Sequence, residues 1–305
     1  MSASTRQLSE ALTATRVDAP DGSAILTVAD LALRFGGTVA IDGVSFDVKK
    51  GELFSVIGPN GAGKTSIFNC LSGVYQPEEG SLDFLGRSLL GMRPDAIAKI
   101  GVARMFQNIE LFDNLTVLDN LMLGRHQHLQ YGTLAGMIYA GKAKKVELAN
   151  RRIVEDIIDF LEIEAFRKFP VGMLPYGVKK RVELGRALAM EPKLLLLDEP
   201  VAGMNVEETE DMARFILDIR AELDLAMVLV EHDMGLVMDL ADRVMVLDFG
   251  RRISLGTPHE VQSDPTVIAA YLGEGDDDDG AGDATAADER PAGSEPLADT
   301  KEARS

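Results

Sequence analysis

The stretch ELFSVIGPNGAGKTSIFNCL, residues 52–71, decides the fold. Its first part is nearly all apolar, as expected for a strand buried on both faces. From Gly63 to about Leu71 it reads as a helix. Between the two lies GPNGAGKT, residues 58–65, which fits G-x-x-x-x-G-K-[ST] in the strand-to-helix context that the pattern's mechanism requires. The glycines let backbone N–H groups turn inward around phosphate oxygens. Lys64 is placed to reach the β- and γ-phosphates of a nucleotide, and the Thr65 hydroxyl can hold Mg²⁺. The competing reading is a glycine-rich turn with no ligand.

Outward from this stretch the chain alternates in character. ILTVADLALRF, VSFDV, SLDFL and GVARMFQ read as strands, and from about Leu111 to Met190 the pattern turns helical. DNLMLGRHQHL and VELANRRIVEDIIDFLEIEAF space apolar residues by three and four. Strands return with KLLLLD, AMVLVEH, RVMVLDFG and RRISLG, and the helix DPTVIAAYLG closes the pattern. A helical block set between two strand-rich halves predicts an α/β core with an inserted helical subdomain. Residues 1–24 read as a flexible polar lead-in, residues 25–273 as the ordered domain, and the helical subdomain spans about 111–190. Residues 274–305 are acidic, rich in small residues and without apolar periodicity, so disorder is expected there.

The 305 residues are 46% hydrophobic, enough for a substantial core, and carry a net charge of −18. Eleven acids against three bases from Glu274 onward supply −8 of that charge. So acidic a chain is a poor general nucleic-acid binder. One cysteine, Cys70, excludes an internal disulfide framework and reads as a small core residue. No signal-peptide pattern and no bilayer-spanning run is present; the longest apolar stripe, YGTLAGMIYAG, is short and interrupted by glycine.

Three further places carry chemistry. LLLLDEP, residues 194–200, is a buried strand whose acids emerge at its carboxyl end, where open α/β sheets bind ligands. Asp198 can hold Mg²⁺ through water, and Glu199 can orient and deprotonate a water attacking a γ-phosphate. A solvated strand end is the alternative. Gln107 closes the apolar run GVARMFQ and can touch Mg²⁺ or the attacking water, though an isolated glutamine carries no meaning alone. His232, just past AMVLV, can hydrogen-bond the γ-phosphate if its strand ends at the same sheet edge; a lone histidine is otherwise more often structural.

In this order, GPNGAGKT, Gln107, LPYGV, LLLLDEP and His232 resemble the Walker A, Q-loop, signature, Walker B and switch-histidine motifs of ABC-type ATPases. The resemblance runs from about Ile25 to Gly273 and implies a P-loop NTPase (RecA-like) core, an antiparallel β subdomain and the inserted α-helical subdomain. It implies ATP and Mg²⁺ as cofactors, with Glu199, His232 and Gln107 as catalytic residues. Nucleotide contacts would come from Phe35, Gly58, Pro59, Asn60, Gly61, Ala62, Gly63, Lys64, Thr65, Ser66, Gln107 and Asp198. Thr65, Gln107 and Asp198 would serve the metal. For Phe35, adenine stacking and core packing are both open.

The family's two ATPase subunits sit head to tail, so Tyr176 and Gly177 would open a helix aimed at the partner's γ-phosphate. This signature departs from the usual L-S-G-G-Q: Pro175, Tyr176 and Val178 replace serine, glycine and glutamine. Either the missing serine hydroxyl weakens closure, or Pro175 stiffens the turn and backbone N–H groups suffice. Lys179, Lys180 and Arg181 are expected to face solvent or acidic neighbours. Asn205, in EPVAGMN, stands where the family more often has aspartate.

The finer pattern, RFGGTVAIDGVSF, ARMFQNIELFDNLTVLDNLMLGRH and GTPHEVQSDPTVIAAYLG, resembles LivG-type ATP-binding subunits of branched-chain amino acid importers. This implies transmembrane permease subunits docking near Gln107, a second ATPase subunit of LivF type or the same chain, and indirectly a solute-binding protein. It places the chain peripherally at the cytoplasmic face of the membrane. An ATPase of a lipid or lipopolysaccharide exporter, or of a urea or amide importer, is the alternative; a nucleic-acid partner is not expected.

Overall fold

The computed structural model describes residue 12 and residues 15–128 and 142–272. Most of the expected lead-in, the stripe YGTLAGMIYAG and the acidic tail lie outside the described residues.

The first alternating run folds as two long antiparallel strands, β1 (Ala24–Phe35) and β2 (Thr38–Lys49), so β2 is longer than VSFDV alone. Next come β3 (Leu53–Ile57), buried at every position, and helix α1 (Lys64–Leu71). Strand β4 (Glu79–Phe84) returns to pair with β1, and the two-residue β5 (Arg87–Ser88) extends that layer. The result is a four-stranded antiparallel sheet of order β2-β1-β4-β5.

Helix α2 (Pro94–Lys99) leads into β6 (Val102–Met105). Three helices follow: α3 (Val117–Gly124), α4 (Lys142–Phe160) and α5 (Tyr176–Leu188). Thr116 caps α3 by accepting from the Asp119 amide. The chain then adds β7 (Leu194–Asp198), α6 (Val206–Leu223), β8 (Ala226–Val230), α7 (Met234–Leu240), β9 (Arg243–Asp248) and β10 (Arg251–Gly256). Two short helices, α8 (Pro258–Gln262) and α9 (Pro265–Leu272), close the described chain. The second sheet has order β10-β9-β3-β8-β7-β6, with only β10 antiparallel to its neighbour.

Helix α6 goes beyond the sequence-based expectation. Its sequence is charge-rich, yet Met212, Phe215, Ile216, Ile219 and Leu223 recur at helical spacing and are buried. The capping box of Asn205 and Glu208 starts it.

The two sheets pack face to face through one apolar cluster, in which Phe46 of β2 stacks on Phe54 of β3 with centroids 5.2 Å apart. A second cluster joins the other face of the parallel sheet to α3, α4, α5 and α6. Burying each such aromatic or aliphatic side chain contributes about 1.5–3 kcal/mol. Both faces of β3, β7 and β8 are therefore covered, which is why these strands read as nearly all apolar. Among the described residues no helix is long and apolar enough to cross a membrane.

Candidate active site

Parallel strands deliver their carboxyl ends to one edge of a sheet, and there α/β folds bind ligands. β7 lies between β8 and β6, and β3 lies on the far side of β8. The residues that follow these strands are therefore neighbours: the 58–65 loop after β3, His232 after β8, Glu199 after β7, and Gln107 after β6.

The glycine-rich loop has a shape that only glycine permits at two positions. Gly58 has φ 145° and Gly63 φ 105°. A Cβ would lie 2.1 Å from the Leu247 carbonyl at Gly58 and 2.4 Å from the Ala40 carbonyl at Gly63. Gly63 caps α1 without a side chain, which leaves the first-turn N–H groups of Thr65 and Ser66 available. Lys64 is buried and its Nζ donates to the Gly58 and Pro59 carbonyls at 2.5 and 2.8 Å, so it curls over its own loop. Pro59 and Ala62 are buried, whereas Asn60, Gly61 and Thr65 are exposed. Phe35, at the end of β1, is 48% exposed and meets Tyr75 edge to face with centroids 5.1 Å apart. It is not a core residue.

Glu199 stands between its two neighbours. Gln107 Nε2 donates to Glu199 Oε2 at 2.7 Å, and His232 Nε2 lies 3.0 Å from Glu199 Oε1. Asp198 is buried, and its Oδ2 accepts from Arg104 Nη2 at 2.5 Å. Arg104 also donates to Asn69 and Ser72 at the end of α1, between the rings of Phe68 and Phe106. The loop helix, the Asp198 strand and the Gln107 segment thus share one guanidinium.

The signature helix α5 begins one residue before Gly177, at Tyr176, with Pro175 as an N-cap that makes no side-chain bond. Gly177 itself packs against Glu208: a Cβ there would lie 2.3 Å from its Oε1. The Tyr176 hydroxyl donates to the Ala202 carbonyl at 3.0 Å. Of the two surroundings expected for Lys180, solvent or acidic neighbours, solvent is wrong: it is wholly buried, donates to main-chain carbonyls and lies within reach of Glu183, Glu231, Glu199 and Asp198. The Asn205 Oδ1 accepts from the Glu208 amide to cap α6. Lys179 reaches the Gly172 carbonyl and Arg181 pairs with Asp211.

Sequence reading missed three charged groups here, Arg104, Glu183 and Glu231. Arg104 is a charge inside an apolar strand, which was a usable signal. Lys180 and Glu183 share the inner face of α5, and burial pushes the Glu183 carboxyl up to about 7. Glu231 is buried and accepts from the Val201 and His232 amides at 3.0 and 3.1 Å, tying the segment after Glu199 to the switch histidine. Burial raises its pKa.

The donor set fits a phosphate-bound cation. Asp198 Oδ1 is buried with no hydrogen-bond partner, and the Thr65 hydroxyl opens α1 beside the loop. Among the described residues no cluster of three His, Cys, Asp or Glu is placed to hold a metal by itself. Phosphate oxygens would therefore have to complete the shell, as Mg²⁺ prefers.

Several known proteins match the chain. The family described as ABC transporter matches residues 41–202, and that described as branched-chain amino acid ATP-binding cassette transporter matches residues 251–277. The chain is 39% identical to the high-affinity branched-chain amino acid transport ATP-binding protein BraF of Pseudomonas aeruginosa, over 82% of this chain and 98% of BraF. It is 36% identical to LivG of Escherichia coli over the same shares. A crystal structure of the ADP conformation of an ATP-binding cassette of an ABC transporter superposes with a TM-score of 0.70 at 30% identity, covering 82% of this chain and 99% of that one.

Proposed function

Because the chain belongs to the ABC transporter family of ATP-binding proteins, we propose that it is the ATP-hydrolysing subunit of a branched-chain amino acid importer. The observation that carries the reading is the Glu199 carboxylate held between Gln107 and His232, on the sheet edge that also bears the 58–65 loop. The match over residues 251–277 supports the amino acid assignment.

ATP binds with its phosphates in the loop of Gly58, Pro59, Asn60, Gly61, Ala62, Gly63, Lys64 and Thr65, extended by Ser66, and its base against Phe35. Lys64 exchanges the Gly58 and Pro59 carbonyls for phosphate oxygens. Thr65, Asp198 and Gln107 would hold Mg²⁺, which supplies charge neutralisation on the phosphates. Glu199 accepts a proton from water at the γ-phosphate, and His232 and Gln107 fix its two oxygens. Tyr176 and Gly177 of a second subunit, LivF-like or identical, approach the same phosphate from the other side. Binding energy that differs between open and closed pairs does the mechanical work.

The transmembrane permease subunits dock beside Gln107. Phe106, Phe112 and Leu115, on the chain next to and after Gln107, and Phe169 are exposed apolar residues, and the Leu115 and Val117 main chains are bonded to the segment carrying Phe169. A permease helix would cover them. The chain then works at the cytoplasmic face of the membrane, and a solute-binding protein acts on it only through the permease. The test is reconstitution with the permeases that copurify. Mg²⁺-dependent phosphate release stimulated by leucine, isoleucine or valine is expected. Stimulation by urea, amides or lipid instead would overturn the amino acid assignment.

A further inference from the structure

Lys180 sits in the second turn of α5 and is wholly buried. An ammonium without water keeps its charge only where carbonyls and acids surround it. Burial lowers the Lys180 pKa, while Glu183, Glu231, Glu199 and Asp198 act to raise it. Its Nζ donates to the Gln107 carbonyl at 2.8 Å and lies 3.4 Å from the Glu199 carbonyl. These are the two residues whose side chains meet at 2.7 Å. Main chain and side chain thus close a ring through one ammonium.

The backbone of Glu199 needs such support. Its φ is 48°, a left-handed conformation that a residue with a Cβ seldom adopts. Such a conformation persists only where its surroundings over-determine it. The Glu199 N–H donates to the Val230 carbonyl at 2.9 Å, which anchors one side of the residue to β8. Its carbonyl accepts from the Ala202 N–H at 3.3 Å, a contact within its own turn, and from outside that turn faces Lys180 of the helix that begins at Tyr176.

We propose that Lys180 is a positioning residue for the general base: from the signature helix it fixes the left-handed Glu199 peptide and the Gln107 segment on one ammonium. A shift of α5 against the sheet is then felt directly as a change in the aim of the Glu199 carboxylate. Lys180 thus joins the helix that faces the second nucleotide to the base, alongside the direct side-chain bond of Gln107 to Glu199. The inference rests on Glu199 being the base, as proposed above.

The experiment uses the full chain and MgATP. Lys180→Met should lower kcat about 10- to 100-fold, with the affinity for a fluorescent ATP analogue unchanged within about threefold. Lys180→Arg, which keeps the charge and donors, should recover most of the loss. In a Glu199→Gln background, Lys180→Met should cost nothing more, because it acts through Glu199. Lys180→Gln keeps an amide donor, and carries the same reading of kcat and affinity if the methionine variant does not fold. A folded Met or Gln variant with wild-type kcat would overturn the proposal. So would affinity falling in step with kcat, or a full additional loss in the Glu199→Gln background. Wild-type turnover by Glu199→Gln alone would instead remove the base assignment, so the two failures are distinguishable.

Discussion

Arg104 Nη2 lies 2.5 Å from Asp198 Oδ2, with both side chains almost wholly withdrawn from water. A buried pair is costly to break, because the surviving charge has no solvent. Arg104→Met should destabilise the chain by about 3–5 kcal/mol in denaturant unfolding. Adding Asp198→Asn should return part of that loss. A loss below about 1 kcal/mol for the single variant would mean that the pair is not formed in solution.

The contact of Gln107 and His232 with Glu199 predicts how turnover fails. Glu199→Gln should slow hydrolysis about 10²- to 10⁴-fold while ATP still binds. Lys64→Ala should impair nucleotide binding itself, since Lys64 is the buried cation of the loop. Phosphate release and nucleotide affinity, measured on both, separate the two effects. Normal turnover by Glu199→Gln would discard the base.

Glu183 gives a pH dependence. Burial, partly offset by Lys180 and by the Glu110 amide, pushes its carboxyl from 4.5 up to about 7. The folded state then holds a proton that the unfolded chain releases between pH 4.5 and 7. Its stability contribution is full below pH 4.5 and is lost as pH rises through 7, on the order of 3 kcal/mol in all. Glu183→Gln, permanently neutral, should match the wild-type melting temperature near pH 5 and exceed it by several degrees at pH 8. Parallel melting curves across that range would sink the idea.

Pro175 caps α5 with no side-chain bond. Pro175→Ser should gain about 1 kcal/mol from capping and lose a similar amount as the unfolded chain becomes freer. Thermal stability should stay within a few degrees. ATP-driven dimerisation should also hold within about threefold, since the helix start proposed to face the phosphate is unchanged. Tighter dimerisation would show that a serine hydroxyl in that position matters.

The sequence by itself determined what local pattern can encode. GPNGAGKT between an apolar strand and a helix marked the loop between β3 and α1 and its tight glycines, because strained glycines and a lysine at set spacing serve few other ends. Nearly all-apolar runs at residues 53–57, 194–197 and 226–230 marked the central strands, because both faces of such a sheet are covered. Acids and a histidine placed just past those runs pointed to one working edge.

Only the tertiary structure decided which charges are structural and what they grip. Nothing local says that Lys180 turns inward or that Arg104 reaches Asp198. Those outcomes depend on partners 19 to 94 residues away in the chain. The sequence fixes the kind of group at each position. The low-dielectric interior, which cannot leave a charge or a carbonyl unmet, selects its partner only once the strands are in order.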